Sequence, residues 1–203
     1  MQPNVHLLPH FFRSADGLTG FGQGVGRTLG RLVVVGIIVG LLAPAARATV
    51  LRESEVEAAF VFNFTKFVDW PGATGVAPGR PLVIGVLRED AVSAAINAVI
   101  RGRQVNGRTL VVKSIRTAED LALIDVLFVC AGEEGKFAEL KPDLLGAPVL
   151  TVGESPAFAA LDGMITLTVT NDQLRFAINP AAAQRARLKI SAQLLKLATS
   201  VSR

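Results

Sequence analysis

The sequence predicts an α/β fold: a single domain with a mixed, mostly parallel sheet, helices on both faces, a C-terminal antiparallel hairpin and terminal helices. Two observations carry this prediction. Between Pro81 and Val152, short continuous apolar runs alternate with helical segments, a pattern typical of buried parallel strands joined by right-handed crossovers. Two strand-like segments then flank Asn171-Asp172, a pair that favours a turn, so an antiparallel hairpin follows.

The N-terminal region has the parts of a secretory signal. A basic segment is followed by an apolar run from Leu32 to Ala46, and the run closes on Ala46-Arg47-Ala48. We therefore expect residues 1–48 to be a signal peptide cleaved after Ala48, and residues 49–203 to be the exported domain. The alternative is an uncleaved membrane anchor. The apolar run is shorter than the roughly 20 residues that a spanning helix needs, and Pro44 interrupts it, so cleavage is favoured.

Removing the predicted leader changes the charge of the protein. The chain has 21 basic and 17 acidic residues; four of the basic residues and one of the acids precede Thr49, so 17 and 16 remain, a net charge of +1. The remaining sequence lacks a basic stripe with interleaved aromatic residues, so nucleic acid is not an expected partner.

The opening segment of the exported domain, Glu55 to Pro71, contains four of the eleven phenylalanines and the only tryptophan. Its spacing predicts an amphipathic to nearly buried helix that ends by about Trp70, before Pro71. The residues predicted on the buried stripe are Val56, Phe60, Phe64 and Phe67, with Val61 and Val68 beside them.

Phe62 projects away from this stripe, on the side that carries Lys66. One interpretation is a helix packed on two sides, with Phe62 as second-side core. The other is a partner-binding patch formed by Phe62, Lys66 and Trp70, since aromatic residues and cations are typical interface anchors. The core interpretation is slightly favoured, and the three residues are the candidate partner-binding site.

The remaining elements follow in order. The predicted strands are Pro81–Leu87, Thr109–Ile115, Ile124–Cys130, Pro148–Val152, Gly163–Thr170 and Gln173–Ile178. The predicted helices before the hairpin are Ala91–Ile100, Ala118–Leu123 and Glu133–Leu140. Asn179-Pro180 and Ser191 are helix-start signals, which predict two terminal helices over about 180–187 and 192–200.

The residue types restrict the chemistry. Both histidines, His6 and His10, precede Ala48, and the chain has no tyrosine. The exported domain therefore offers no histidine for a catalytic triad, a zinc site or a proton shuttle, and it lacks phosphate-binding glycine motifs. We predict no catalytic, cofactor-binding or metal-binding residues.

The acidic doublets Glu89-Asp90, Glu119-Asp120 and Glu133-Glu134 are interpreted as helix caps. Cys130, the single cysteine, is expected to be buried and inert rather than a catalytic thiol.

Several segments together resemble one known family. They are AAFVFNFTKFVDWP, the DVLFV strand, VLTVGESPAFAALDGMITL and LRFAINPAAAQRARLKISAQLLKLA. The sequence from about Glu55 to Val201 is similar to the YfiR-like family of periplasmic regulators, and the helix ending at Trp70-Pro71 and the strand into Asn179 are its more specific motifs.

The resemblance implies a periplasmic, non-enzymatic α/β protein, often dimeric. It further implies that the protein represses an inner-membrane diguanylate cyclase, or a similar membrane sensor, by binding its periplasmic part. Release would follow an envelope signal or capture by an outer-membrane lipoprotein. Members often carry paired cysteines, one of them just before the central strand, where this chain has Ile124. Disulfide-based control is therefore not expected.

A second class of function is a periplasmic sensor module that binds a small molecule. Ligands of such sheets bind at the carboxyl ends of strands, and the candidate loops are Arg88-Glu89-Asp90 and Ala131-Gly132-Glu133. An enzyme is the weakest hypothesis.

Overall fold

The computed structural model of the protein describes residues 53–70, 79–88, 90–171 and 173–201. The predicted signal peptide and most of the loop that follows Trp70 lie outside these residues. Among the described residues, no helix is both long and apolar enough to cross a membrane.

The described chain contains six α-helices, one 3₁₀ helix and ten short strands. The helices are α1 (53–64), α2 (Ala91–Ile100), α3 (Glu134–Leu144), α4 (Pro156–Ala160), α5 (Pro180–Arg185) and α6 (Ala192–Leu197), with a 3₁₀ helix over Ala118–Leu123. The strands are β1 (Val68–Asp69), β2 (Leu82–Val86), β3 (Gln104–Val105), β4 (Arg108–Ser114), β5 (Val126–Val129), β6 (Leu150–Gly153), β7 (Ile165–Thr170), β8 (Gln173–Ile178), β9 (Lys189–Ile190) and β10 (Ser200–Val201).

Eight strands form the main sheet, in the order β10-β8-β7-β6-β5-β2-β4-β3. Each strand pairs in parallel with the next in the series β4, β2, β5, β6 and β7, whereas β7 and β8 form an antiparallel hairpin. Strands β2, β5 and β6 are buried throughout, which explains their continuous apolar sequences. The predicted fold class is confirmed.

Helices cover both faces of the sheet. Helices α1, α2, α5 and α6 pack on one face around a core that includes Phe64, Ile96 and Leu194. Helices α3 and α4 and the 3₁₀ helix pack on the other face around Phe137 and Phe158, whose ring centroids are 4.9 Å apart. The two apolar layers make this an α/β domain of three layers.

The opening helix ends at residue 64, so its predicted extension to about Trp70 is wrong. The Thr65 hydroxyl donates to the Phe62 carbonyl at 2.6 Å, and the N–H groups of Lys66 and Phe67 bond carbonyls three residues back. This tight turn replaces the helix. Val68–Asp69 then pairs with β9, which supplies the backbone bonds that a longer helix would have made.

The prediction for the buried face of α1 is wrong at Val56 and confirmed at Phe62. Val56, assigned to the buried stripe, is 45% exposed. Phe62 is 5% exposed and belongs to the same core as Phe64, as the favoured core interpretation expected. Contacts on two sides of the helix decide this face, and a single apolar stripe does not represent them.

The terminal helices are shorter than predicted. Asn179 and Ser191 do cap them, because their side chains accept from the N–H groups of Ala182 and Leu194. However, α6 ends at Leu197, and Ser200–Val201 forms an edge strand parallel to β8. The GRQVNGR segment also contains an unpredicted strand, β3, which pairs with β4.

Candidate functional site

The two loops predicted for ligand contact converge at one point of the sheet. Strand β2 lies between β4 and β5, and the chain moves from one side of β2 to the other at this position. The carboxyl ends of β2 and β5 therefore form a topological switch point, where ligands of open α/β sheets bind. Arg88 follows β2, and Ala131, Gly132 and Glu133 follow β5.

Arg88 joins the two loops. Its Nη1 donates to Glu133 Oε1 at 3.2 Å, and its Nη2 donates to the Ala131 carbonyl at 2.9 Å. Arg88 is exposed, so the ion pair itself contributes little to stability. Its guanidinium nevertheless fixes the position of one loop against the other. Glu89, the residue between Arg88 and Asp90, lies outside the described residues.

A pair of carboxyl groups lies under these loops. Glu57 on α1 is 8% exposed, and it hydrogen-bonds the side chain of Glu154, at the end of β6. Glu154 Oε2 also accepts from the Ala131 N–H at 3.0 Å. The pair thus links the first helix, the fourth parallel strand and the loop after β5.

The pair holds a proton at neutral pH. Burial, then the charges of Glu154 and Glu53, raise the pKa of Glu57 to about 8. Burial is also the main cause that raises the pKa of Glu154. We conclude that a protonated Glu57 donates to a Glu154 carboxylate, because two buried like charges in contact cannot both ionise. Since Glu57 has so little exposed surface, the pair acts as a structural contact rather than an accessible acid and base.

Cys130 directly follows the buried strand β5 and lies next to this pair. The residue is fully buried, as predicted, and its Sγ lies 3.6 Å from the Arg88 carbonyl. Burial and the nearby carboxyl of Asp90 raise the pKa of the thiol. A thiol held in its neutral form is a poor nucleophile.

Two of the acidic doublets supply caps, as predicted, through Asp90 and Asp120, whereas Glu133 lies at the N-cap position of α3 without a side-chain cap bond. Asp90 accepts from the N–H groups of Val92 and Ser93 at the start of α2. Asp120 accepts from the N–H groups of Arg116 and Thr117. Glu134 lies in the first turn of α3 and accepts from the Ser155 hydroxyl.

The sequence analysis missed the Glu57–Glu154 pair. No local pattern pairs these two acids, because almost a hundred residues separate them along the chain. The only available signal was the position of Glu57 four residues before the buried Val61 and seven before Phe64, which places it on the buried face of α1.

The predicted partner-binding residues lie toward the opposite, amino end of the sheet. The Phe62 ring is covered by two exposed cations: Lys66 Nζ is 4.1 Å and Arg103 Cζ is 4.7 Å from its centroid. Lys66 and Phe62 are therefore in contact, and Lys66 also donates to Asn63 Oδ1 at 3.1 Å. Cation–π contacts at such sites are worth about 0.5–1 kcal/mol.

Trp70 contacts the start of β5. It is half-buried, and its Nε1 donates to the Asp125 carbonyl at 3.1 Å. The buried Asp125 carboxylate accepts from Arg108 Nη2 at 2.7 Å and from the Val83 N–H at 2.9 Å. This carboxylate thus joins the amino ends of the neighbouring strands β5, β2 and β4 next to Trp70.

Among residues 53–70, 79–88, 90–171 and 173–201, no three histidine, cysteine, aspartate or glutamate side chains are grouped to hold a metal ion. The titratable groups at the switch point are used for contacts between elements.

The chain belongs to the YfiR/HmsC-like family, whose model matches residues 54–199. A comparison with curated proteins gives no match.

Among solved structures, the chain is similar to a conserved domain protein from Vibrio cholerae O1 biovar eltor, with 11% identity and a TM-score of 0.44 over 71% of this chain and 60% of that one. It is also similar to an ABC domain in complex with L-Trp from Streptococcus pneumonia, with 13% identity and a TM-score of 0.45 over 60% and 55% of the two chains. This chain thus spans less than two thirds of either solved chain.

Proposed function

We propose that this chain is a periplasmic, non-enzymatic regulatory protein that binds the periplasmic part of an inner-membrane signalling protein, in the first place a diguanylate cyclase, and represses it. The observation that carries the proposal is the YfiR/HmsC-like match over residues 54–199. The buried, mutually bonded titratable groups at the switch point also favour a role in protein contact over catalysis. A homodimer and an outer-membrane lipoprotein are further proposed partners.

Phe62, Lys66 and Trp70 remain the proposed contact residues. Lys66 offers exposed surface and Trp70 is half-buried, but Phe62 lies beneath Lys66 and Arg103. A partner therefore meets the two cations and the indole first, and it reaches the Phe62 ring only after the cations move.

Export is part of the proposal. Cleavage after Ala48 would release a protein that begins at Thr49, and N-terminal sequencing of the periplasmic protein measures this directly. Intact Met1 in the membrane fraction would instead indicate an anchored protein.

The test of repression measures cyclic di-GMP in cells with and without the gene. We expect deletion to raise cyclic di-GMP and the full chain to restore the original concentration. A chain without residues 1–48 is the matched control, since it stays on the wrong side of the membrane and should not restore repression. Unchanged cyclic di-GMP after deletion would contradict the proposal.

A second candidate function is a small-molecule sensor. The convergence of the Arg88 and Ala131–Glu133 loops at the switch point supports it. Native mass spectrometry of the protein isolated from the periplasm would detect a bound molecule, and Arg88→Ala should release it. A ligand retained by Arg88→Ala would place the site elsewhere.

A further inference from the structure

A small apolar depression opens at the amino end of the sheet, between the end of α3 and α5. Its volume is about 60 Å³. Its apolar lining includes Phe137, Leu144, Leu145, Met164, Ala182 and Ala186. Small-molecule sites usually enclose roughly 300–1,000 Å³, so this depression accommodates a single side chain rather than a whole ligand.

An exposed leucine stands at the rim. Leu145 is 75% exposed, the highest value among the exposed large apolar residues of the described chain, although its neighbour Leu144 is buried. An apolar depression beside a projecting apolar side chain is the arrangement found at interface hot spots, where one anchor fills a small desolvated pocket.

The charges around the depression are mainly positive. Lys141 and Arg185 both lie on its wall and pair with Asp162. A third cation, Arg187, reaches the rim, where its Nη2 donates to the Gly146 carbonyl at 2.9 Å. Three cations face one acid, so the rim favours a partner that carries carboxylates.

The backbone at Arg187 suggests that its side chain is needed. Arg187 follows the last turn of α5 with φ of +60°, at the position where helices usually end with glycine. An arginine in this conformation costs stability relative to glycine. The guanidinium lies at the rim of the depression, so a role there would account for an arginine at this position despite its cost in stability.

We infer that this depression is a further part of the partner-contact surface, beyond Phe62, Lys66 and Trp70, and that it receives one apolar side chain from an acidic segment of the membrane partner. The inference rests on the proposed function, and it adds where on the domain the partner binds. Trp70 lies on the same amino end of the sheet, next to Asp125 at the start of β5.

The test uses the full chain in the deletion strain. Leu145→Asp and Arg187→Gly should each lower the affinity for the partner at least tenfold and raise cyclic di-GMP to the concentration of the deletion strain. The thermal midpoint should fall little in Leu145→Asp and should not fall in Arg187→Gly, where glycine relieves the left-handed backbone. Leu197→Asp is the matched control, because Leu197 is 64% exposed but lies outside the depression; it should repress normally. Wild-type repression by both rim variants would overturn the inference and leave the proposed function intact.

Photo-crosslinking from position 145 identifies the occupant. With p-benzoylphenylalanine at this position, an adduct with the membrane cyclase supports the inference, provided the same probe at position 197 gives none. An adduct with a second copy of this chain would overturn the assignment to a heterologous partner. If deletion of the gene leaves cyclic di-GMP unchanged, the result contradicts the proposed function itself, independently of the result at position 145.

Discussion

Glu57 on the first helix shares a proton with Glu154 at the end of β6. The bond holds α1 against the carboxyl end of the sheet. The contact depends on one of the two carboxyls being neutral, because two ionised groups at this position would repel each other in a medium of low dielectric.

The first prediction concerns pH. The pKa of Glu57 rises from 4.5 to about 8 on folding, so the folded protein binds more protons than the unfolded chain between these values. Stability should therefore fall as pH rises through this window, by up to roughly 1.4 kcal/mol per pH unit. Urea unfolding from pH 5 to pH 9 measures the slope.

Glu57→Gln should flatten that dependence and leave the variant more stable than wild type at pH 9. Glu55→Gln is the control, because Glu55 is exposed on the same helix and should leave the slope unchanged. An equal slope in wild type and Glu57→Gln would show that the pair does not hold the proton.

The second prediction concerns Cys130. Cys130→Ser should cost roughly 1 to 3 kcal/mol if the new hydroxyl finds no good partner, and regulation should remain intact because the thiol is buried and neutral. Cys130→Ala, which adds no polar group, is the comparison. Loss of repression at unchanged thermal midpoint in either variant would assign the thiol a regulatory role.

The third prediction separates core from contact surface. Phe64 is 1% exposed, and its ring centroid lies 5.1 Å from that of Phe176, so Phe64→Ala should cost about 3 to 5 kcal/mol. We expect Phe62→Ala to destabilise the domain similarly, since its ring is 5% exposed.

Trp70→Ala should instead weaken partner binding with a smaller loss of stability, because Trp70 is only half-buried. Thermal midpoint and partner affinity are measured for all three variants. A Phe62→Ala protein that keeps its midpoint but loses affinity would make Phe62 a direct contact.

The fourth prediction concerns Arg187. Arg187→Gly should stabilise the domain by up to about 1 kcal/mol, because glycine adopts the left-handed conformation without strain. Arg187→Ala keeps the strain and should not stabilise it. Thermal unfolding of the two variants gives the comparison, and a destabilised Arg187→Gly would show that the bond to Gly146 outweighs the strain.

The sequence predicted the elements whose signals are local. Continuous apolar runs identified β2, β5 and β6, and the turn at Asn171-Asp172 identified the hairpin. Asn179 and Ser191 capped their helices as expected, since a cap bonds an N–H only three residues away.

The two-residue strands could not be predicted in this way. β1, β9 and β10 exist because distant segments meet, as when the Ser191 N–H bonds the Phe67 carbonyl. The Glu57–Glu154 pair has the same origin, because two acids far apart in sequence become neighbours only through the packing of α1 on the sheet. The Asn106-Gly107 turn did carry a local signal, and positive φ at both residues matches a tight hairpin.

Chemical labelling of the single buried cysteine can measure local opening of the native protein. Cys130 lies at the carboxyl end of β5 beside the Glu57–Glu154 pair, and the chain has no second thiol to react in its place. The rate at which a thiol reagent labels the native protein therefore measures how often this end of the sheet exposes its interior. A ligand or partner that closes the switch point should slow the labelling, and no engineered label is required to observe it.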